Sequence, residues 1–193
     1  MPLLVGLGNP GPQYDGTRHN IGFALVDSLS LTGTADGPWK MWGKSLVCKL
    51  KLGSHSFLLA KPQSFMNLSG EAVQELLAFY KFTAKDLAVI SDDATLPAGS
   101  IRIRMEGGHG GHNGLRDIIA RIGEGFPRIR VGVGICPPDR DLSSHVLGKI
   151  GSEDRSTMQH VFDSFPALVE TGFTKGWELA GSQFNRRAEA PPL

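Results

Sequence analysis

The chain has 193 residues, of which 40% are hydrophobic, and it carries 20 lysines and arginines against 19 aspartates and glutamates, a formal net charge of +1. This length and composition favour one domain with a sizeable core, and the near-neutral charge means that only a local basic patch could bind a polyanion. Two cysteines are too few for a disulfide framework, so a reducing cytoplasm is expected, and no apolar run is long enough to cross a bilayer.

The first predicted elements alternate between strand and helix. A short apolar run at residues 3–7 predicts a buried strand, and apolar residues at helical spacing predict a helix over residues 20–31. Two further runs, residues 45–51 and 56–60, are typical of strands, and we expect them to pair as a hairpin around Gly53.

The second half of the chain continues this alternation. Ser69 is expected to cap a helix over residues 71–80. The other predicted elements are strands at residues 87–90, 101–105 and 129–133 and helices at residues 115–122, 152–164 and 167–179. This order predicts an α/β fold, and the hairpin implies a twisted mixed β-sheet flanked by helices on both faces. We expect a single domain over residues 1–193, with a tail that frays from about residue 186.

Three segments set an asparagine among glycines and small residues: residues 5–11 with Asn9, residues 65–70 with Asn67, and residues 107–114 with Asn113. Two of them come with histidines, because His19 follows the first and His112 lies within the third. Amides can hold a carbonyl group, an imidazole can move a proton, and glycines let the backbone approach closely. The combination predicts a site that acts on a carbonyl.

The first of these segments also has the glycine spacing of a dinucleotide-binding turn, with Gly6, Gly8 and Gly11 after a strand. Such a turn needs backbone N–H donors and a helix that begins at once. Pro10 and Pro12 remove two donors, and the predicted helix begins well after the glycines. A tight turn after the strand is therefore the favoured interpretation.

His19 and Asp92 are the candidates for acid–base chemistry. His19 lies in a loop between a strand and a helix, where α/β sheets place their chemistry, although a structural or capping role would fit the same position. Asp92 follows a buried strand, where it could orient an imidazole or serve as an ordinary turn residue. Their spacing alone does not show that the two side chains meet.

His109 and His112 lie three residues apart in the glycine-rich segment. A metal site would need carboxylate or cysteine partners and a rigid element, and the sequence pattern around this pair provides neither. Because glycines permit close backbone approach, a loop that wraps a ligand without a metal is the favoured interpretation.

Four arginines alternate with apolar residues in two predicted strands: Arg102, Arg104, Arg128 and Arg130. A period of two places each pair on one face of its strand, and neighbouring strands would join them into a stripe. Arginine suits phosphate because its guanidinium can donate two parallel hydrogen bonds. A phosphate-binding stripe and a merely solvated face both fit this pattern.

Taken together, these motifs resemble bacterial-type peptidyl-tRNA hydrolase. The matching segments run in order over nearly the whole chain: residues 5–11, Tyr14, 17–20, 61–62, 65–70, 91–93, 96–97, 107–114, 117–118, 128–134 and 146–149. Several long motifs that match together are far more specific than any one of them.

The resemblance implies an esterase that releases peptide from tRNA without a metal or a cofactor. It implies that His19 is the general base that activates a water, that Asp92 orients it, and that Asn9 takes part in catalysis. The residues that it implies for binding the peptide end of the substrate are Tyr14, Met66, Asn67, His112 and Asn113; those for tRNA are Arg102, Arg104, Arg128 and Arg130. It also implies a cytoplasmic monomer whose partner is peptidyl-tRNA.

Two positions depart from the family's pattern. Glu106 stands where family members often have glycine, and Thr95 stands where aspartate is common. Both put loop conformation and substrate affinity in question rather than the reaction.

Two other classes of function remain as alternatives. One is a non-catalytic RNA-binding relative, as the resemblance allows for organellar splicing factors, and the other is a dinucleotide-binding oxidoreductase. A binding module would keep the basic stripe but need not keep a base. The enzyme is therefore favoured by the joint presence of His19, Asp92, Asn9 and Asn113.

Overall fold

The computed structural model describes residues 1–185, so the predicted tail from about residue 186 lies outside the described residues. The strands are β1 Leu3–Gly6, β2 Thr34–Ala35, β3 Lys40–Trp42, β4 Ser45–Leu52, β5 His55–Pro62, β6 Leu87–Asp93, β7 Ile101–Arg104 and β8 Arg128–Gly132. The helices are α1 Ile21–Thr32, α2 Ser69–Tyr80, α3 Asn113–Ile122, α4 Leu142–Val146, α5 Ser152–Lys175 and α6 Trp177–Phe184. In this part of the chain no helix is long and apolar enough to span a membrane.

All the strands form one mixed sheet in the order β2-β4-β5-β1-β6-β8-β7, with β3 paired to β4. Strand β1 is parallel to both β5 and β6, and β6 is parallel to β8. The predicted hairpin is present as the antiparallel pair β4–β5, and β7 is antiparallel to β8. The prediction of an α/β fold with a mixed sheet is confirmed.

Helices cover both faces of this sheet because alternate residues of the buried strands point in opposite directions. Leu4 of β1 packs in a cluster with apolar residues of α1, α5 and α6. Its neighbours Leu3 and Val5 belong to a second cluster, which contains residues of α2 and α3. The predicted arrangement with helices on both faces is therefore confirmed.

The C-terminal helices differ from the prediction. A break was expected near Pro166, but α5 continues through it to Lys175. A proline inside a helix costs about 3 kcal/mol or more, and the burial of Phe165, Leu168 and Val169 offsets that cost. Gly176, with a φ of 104°, then separates α5 from α6. Tertiary packing thus outweighs the local preference of the proline.

The start of α2 also differs from the prediction. Ser69 is the first residue of the helix and not its cap, and its hydroxyl donates a hydrogen bond to the carbonyl of Met66 at 2.8 Å. Ser69 therefore ties the helix to the 3₁₀ turn Met66–Leu68 that precedes it. The short elements β2, β3 and α4 had no predicted counterpart.

The parallel strands determine where polar side chains collect. Since β1, β5 and β6 run in the same direction, their carboxyl ends lie at one edge of the sheet. Because β7 is antiparallel to β8, it ends at the opposite edge of the sheet. The glycine-rich loop that follows β7 then runs back along the sheet, and its Gly110 contacts Arg130 of β8. Loops from distant parts of the sequence therefore meet at this edge.

Candidate active site

A cleft of about 690 Å³ opens at the carboxyl edge of the sheet. Its walls include every residue that the sequence predicts for catalysis or for binding the peptide end of a substrate: Asn9, Tyr14, His19, Met66, Asn67, Asp92, His112 and Asn113. Arg130 is the one predicted tRNA-binding residue among the cleft residues, and α4 with its flanking residues forms another wall. The structure thus brings together the three asparagine-containing segments, the turns that follow the first of them, and Asp92 of β6.

His19 and Asp92 meet at the centre of this cleft. The 3₁₀ turn Arg18–Asn20 carries His19 just before α1, and Asp92 lies near the carboxyl end of β6. Although 73 residues separate them, His19 Nδ1 lies 2.7 Å from Asp92 Oδ1. The side chain of His19 keeps 11% of its surface exposed and that of Asp92 keeps 3%. The imidazole therefore faces the cleft while its carboxylate partner stays inside the protein.

His112 is a second partner of the same carboxylate oxygen. Its Nδ1 accepts a hydrogen bond from the backbone N–H of Leu115 at 3.2 Å, which caps α3. That ring atom therefore carries no proton, so the proton of the neutral imidazole is on Nε2, which lies 3.0 Å from Asp92 Oδ1 and donates to it. Because an ionised carboxylate can only accept, neutral His19 donates to Asp92 through Nδ1 and keeps a lone pair on Nε2.

The environment of Asp92 keeps it ionised. Burial by itself would raise the pKa of the Asp92 carboxyl, because it penalises the charged form. The charge interactions and hydrogen bonds with His112 and then His19 outweigh that effect and hold the pKa well below its usual range. A carboxylate that remains charged can keep the Nδ1–H tautomer of His19 and stabilise that ring when it becomes protonated.

His19, Asp92 and His112 also form a group of potential metal ligands, since one ligand atom from each lies within 4.8 Å of the others. The structure gives His112 the carboxylate neighbour that its local sequence lacks. Ligands on a tetrahedral zinc ion lie roughly 3.3 Å apart. The two nitrogens instead lie 2.7 and 3.0 Å from one oxygen, which are hydrogen-bond distances. This spacing suits two N–H donors that share a carboxylate.

The orientation of Asn9 is fixed by two neighbours. The side chain of Asn20 pairs with the backbone of Asn9, accepting from its N–H at 2.8 Å and donating to its carbonyl at 2.9 Å. The side-chain oxygen of Asn9 accepts from the backbone N–H of Met66 at 2.8 Å. Asn9 can therefore offer its Nδ2 as a donor in the cleft. Sequence reasoning missed the part of Asn20, although it stands next to His19 in the motif.

The other two amides lie at the starts of helices. Asn67 is in the 3₁₀ turn before α2, Asn113 is the first residue of α3, and both side chains are exposed. Met66 is buried beneath them, and a Cβ added at Gly114 would lie 2.6 Å from its sulfur. Tyr14 is half-buried in the 3₁₀ turn Pro12–Tyr14. Both amides are thus presented to the cleft from ordered helix ends.

The predicted arginine stripe is only partly present. The register pairs Arg102 with Arg130 and Arg104 with Arg128, which places all four on one face. Arg128, however, is 1% exposed, and it donates to the carbonyls of Phe126 and Glu124 at 3.1 Å each. Its guanidinium also lies 4.2 Å from the centre of the Phe126 ring. The prediction that Arg128 faces tRNA is therefore corrected, because the residue is buried and its Nη1 and Nη2 donate to carbonyls inside the protein.

Burial distinguishes Arg128 chemically as well, since it lowers the pKa of the guanidinium below its ordinary value. Of the other three, Arg104 is exposed and Arg102 is half-buried. Arg130 lies 3.1 Å through Nε from the Asp93 carboxylate, without hydrogen-bond alignment. A Cβ at Gly110 would lie 2.5 Å from Arg130 Nη2, so the glycine-rich loop passes directly over this guanidinium.

The two positions that depart from the family's pattern lie outside the hydrogen-bonded centre. Thr95 donates through its hydroxyl to Asp93 at 2.7 Å, so it belongs to the same group as Arg130. Glu106 is exposed in the loop that follows β7. Neither side chain takes part in the hydrogen bonds that join His19 and His112 to Asp92.

The glycines after β1 serve packing between the strand and α1. A Cβ at Gly6 would lie 2.2 Å from the carbonyl oxygen of Gly22, and one at Gly22 would lie 2.4 Å from the backbone nitrogen of Leu7. A Cβ at Gly8 would meet the ring of Phe23 at 2.7 Å. Since these positions are filled by the helix, the glycine spacing does not form a dinucleotide site.

Comparisons with known proteins agree with this architecture. The family model described as peptidyl-tRNA hydrolase matches residues 3–191. The peptidyl-tRNA hydrolase of Clostridium novyi is 44% identical over 186 residues, which cover 96% of this chain and 98% of that protein. The chloroplastic one of Arabidopsis thaliana is 40% identical and covers 99% and 67%. The crystal structure of peptidyl-tRNA hydrolase from Acinetobacter baumannii has a TM-score of 0.91 at 34% identity and covers 98% and 97%.

Proposed function

This chain belongs to the peptidyl-tRNA hydrolase family, and we propose that His19 is the general base of its ester hydrolysis. The bond that it cleaves joins the carbonyl carbon of a peptide to a ribose oxygen of tRNA. The observation that carries the proposal is the 2.7 Å contact between His19 Nδ1 and the buried carboxylate of Asp92 within the cleft. The products are free tRNA and free peptide.

The proposed reaction begins with a water on the open side of His19. Nε2 removes a proton from that water while its oxygen attacks the ester carbonyl, and Asp92 stabilises the imidazolium that forms. The tetrahedral intermediate collapses when the bond to the ribose oxygen breaks. His19 returns its proton to that oxygen, so the imidazole is regenerated and no covalent enzyme intermediate forms.

Asn9 is the proposed donor to the developing oxyanion. The N–H of Met66 occupies its side-chain oxygen, so the group that Asn9 can direct at a substrate is its Nδ2. One such donor typically contributes about 3–4 kcal/mol to stabilisation of the transition state. Asn67 and Asn113 are proposed to hold peptide carbonyls, and Tyr14, Met66 and His112 to line the path of the peptide.

The tRNA is proposed to reach the cleft across β7 and β8. Arg102, Arg104 and Arg130 lie on one face of these strands, and Arg130 also lines the cleft. Their guanidinium groups suit phosphates, and such contacts make binding weaken as salt rises.

We extend the proposal to the form in which the chain works. The imidazole, carboxylate and amides of the cleft supply base, acid and oxyanion donors, so the proposed reaction uses no metal and no cofactor. All of these side chains come from one chain, which supports action as a monomer. Both core clusters pack on one sheet, which supports a single domain. The cytoplasm is the proposed location.

The proposal is tested by release of free tRNA from a purified peptidyl-tRNA. Wild-type protein should release it, and His19→Ala should turn over about 10²-fold more slowly or worse. His55→Ala, which removes an exposed histidine from the β4–β5 hairpin, serves as the matched control and should retain full activity. If His19→Ala keeps wild-type turnover, His19 is not the base. If the wild type binds the substrate without releasing tRNA, the chain is an RNA-binding module.

A further inference from the structure

Helix α2 begins without a capping side chain of its own. Leu68 occupies the N-cap position and supplies no side-chain hydrogen bond. The first backbone N–H groups of a helix have no partner within it, so they need one from elsewhere. The N–H of Gly70 donates to Asp117 Oδ2 at 2.7 Å, and Asp117 belongs to α3, 47 residues further along the chain. One helix thus caps the other.

The start of α2 packs closely against the first turns of α3. A Cβ added at Gly70 would lie 2.4 Å from the carbonyl oxygen of Asp117. A Cβ at Gly114 would lie 2.6 Å from the sulfur of Met66. Because neither position has room for a side chain, a small movement of α2 relative to α3 would be transmitted to both helix starts.

Each of these starts carries part of the proposed site. The 3₁₀ turn with Asn67 is joined to α2 through the hydrogen bond from Ser69 to Met66. Helix α3 starts at Asn113, and its capping residue His112 donates to Asp92. The contact between Gly70 and Asp117 therefore links the segment that holds Asn67 to the segment that holds Asn113.

We propose that Asp117 is a positioning residue that fixes the Asn67 turn against the start of α3, and that the rate of ester hydrolysis depends on it. This inference rests on the proposed function, because it assigns Asp117 an effect through Asn67. Displacement of a substrate-holding group by about 1 Å can cost as much as 10²-fold in rate. Asp117 does not line the cleft itself, so it acts only through the segments that it joins.

The surroundings of Asp117 provide a matched control. Its other oxygen, Oδ1, accepts from Arg121 Nε at 3.2 Å, and Arg121 also pairs with Glu71 at 3.1 Å. Glu71 lies in the first turn of α2 and pairs with Lys44 at 2.7 Å. Glu71→Ala therefore removes a carboxylate from the same helix end and leaves the Gly70 N–H with its partner.

The first measurement compares kcat and KM among variants of the full chain. Asp117→Ala should lower kcat about tenfold and leave KM within about twofold, because the proposed tRNA contacts are elsewhere. Asp117→Asn should keep most of kcat, since its amide oxygen can still accept from Gly70. Glu71→Ala should keep the wild-type kcat. This should hold even if Glu71→Ala lowers the melting temperature as much as Asp117→Ala does. Equal kcat in Asp117→Ala and Glu71→Ala would overturn the proposal.

The second measurement is a double-mutant cycle with Asn67→Ala. If Asp117 acts through Asn67, then Asp117→Ala should reduce kcat by clearly less in the Asn67→Ala background than in the wild type. Independent losses that multiply would contradict the proposal. Should Asp117→Ala fail to fold, Asp117→Ser takes its place in both measurements. The losses of Asp117→Ala and Asn67→Ala could multiply while His19→Ala still loses activity. That result would contradict the role of Asp117 and leave the proposed function supported.

Discussion

The histidines around Asp92 lie in segments beside the carboxyl edge of the sheet, the arginines lie on β7 and β8 of the same sheet, and their surroundings differ. His19 and His112 are held by hydrogen bonds to one buried carboxylate, so the surrounding protein determines both the position and the tautomer of each ring. The arginines share a face, but one is buried and another is exposed. Strand alternation places a residue on a face of the sheet, whereas the contacts of each side chain decide what it can bind.

Asp92→Asn is the strongest test of the histidines around Asp92. An amide cannot keep the Nδ1–H tautomer of His19 or stabilise the imidazolium, so kcat should fall about 10³-fold or more. Steady-state assays of peptidyl-tRNA hydrolysis measure this loss of kcat. Asp163→Asn changes an exposed aspartate of α5 in the same way and should leave kcat unaltered. A loss below about tenfold in Asp92→Asn would mean that the carboxylate does not orient the base.

Asn9→Ala should have the next largest effect. It removes the proposed oxyanion donor, so kcat should fall about 10²-fold with little change in KM. The variant also frees the N–H of Met66, so a thermal unfolding curve is needed to show that the fold persists. A rise in KM with kcat unchanged would assign Asn9 to ground-state binding instead.

Arg104→Ala and Arg130→Ala test the arginines of β7 and β8. Each should raise KM several-fold and leave kcat nearly unchanged. The slope of log KM against log salt concentration should fall by about one, which corresponds to the loss of one phosphate contact. Steady-state kinetics over a range of salt concentrations measure both effects. If KM and its salt dependence both stay at wild-type values, this face is merely solvated.

Arg128→Met should have the smallest effect on activity, and it separates the two kinds of arginine. It removes donors from the carbonyls of Phe126 and Glu124, so the free energy of unfolding should fall by about 1–3 kcal/mol. KM and its salt dependence should remain those of the wild type. A rise in KM as large as that of Arg104→Ala would show that Arg128 reaches the substrate after all.

The predictable parts of the molecule are those that local pattern determines. Apolar spacing predicted α1 and the β4–β5 hairpin, and order along the chain predicted the α/β class. The continuation of α5 through Pro166 was not predictable, because it depends on the core against which that helix packs. The burial of Arg128 has the same cause, since alternation does not show that Phe126 and the carbonyls of residues 124 and 126 surround its guanidinium.

The candidate site was predictable as a set of residues but not as a geometry. Motif resemblance selected eight of the residues that line the cleft, in addition to Arg130. It gave no sign that His112 and His19 share one oxygen of Asp92, because the three residues come from separate segments of the chain. The contacts of Asn20 and Asp117 were also hidden, since each joins segments that only folding brings together.

The proposed mechanism requires that His19 presents the lone pair of Nε2 to the cleft while Asp92 holds Nδ1–H. Nitrogen-15 NMR of the imidazole rings reads this directly, with His19→Ala and His112→Ala to assign the signals. Neutral His19 should carry its proton on Nδ1, and neutral His112 should carry its proton on Nε2. A spectrum in which His19 is protonated on Nε2 instead would contradict it.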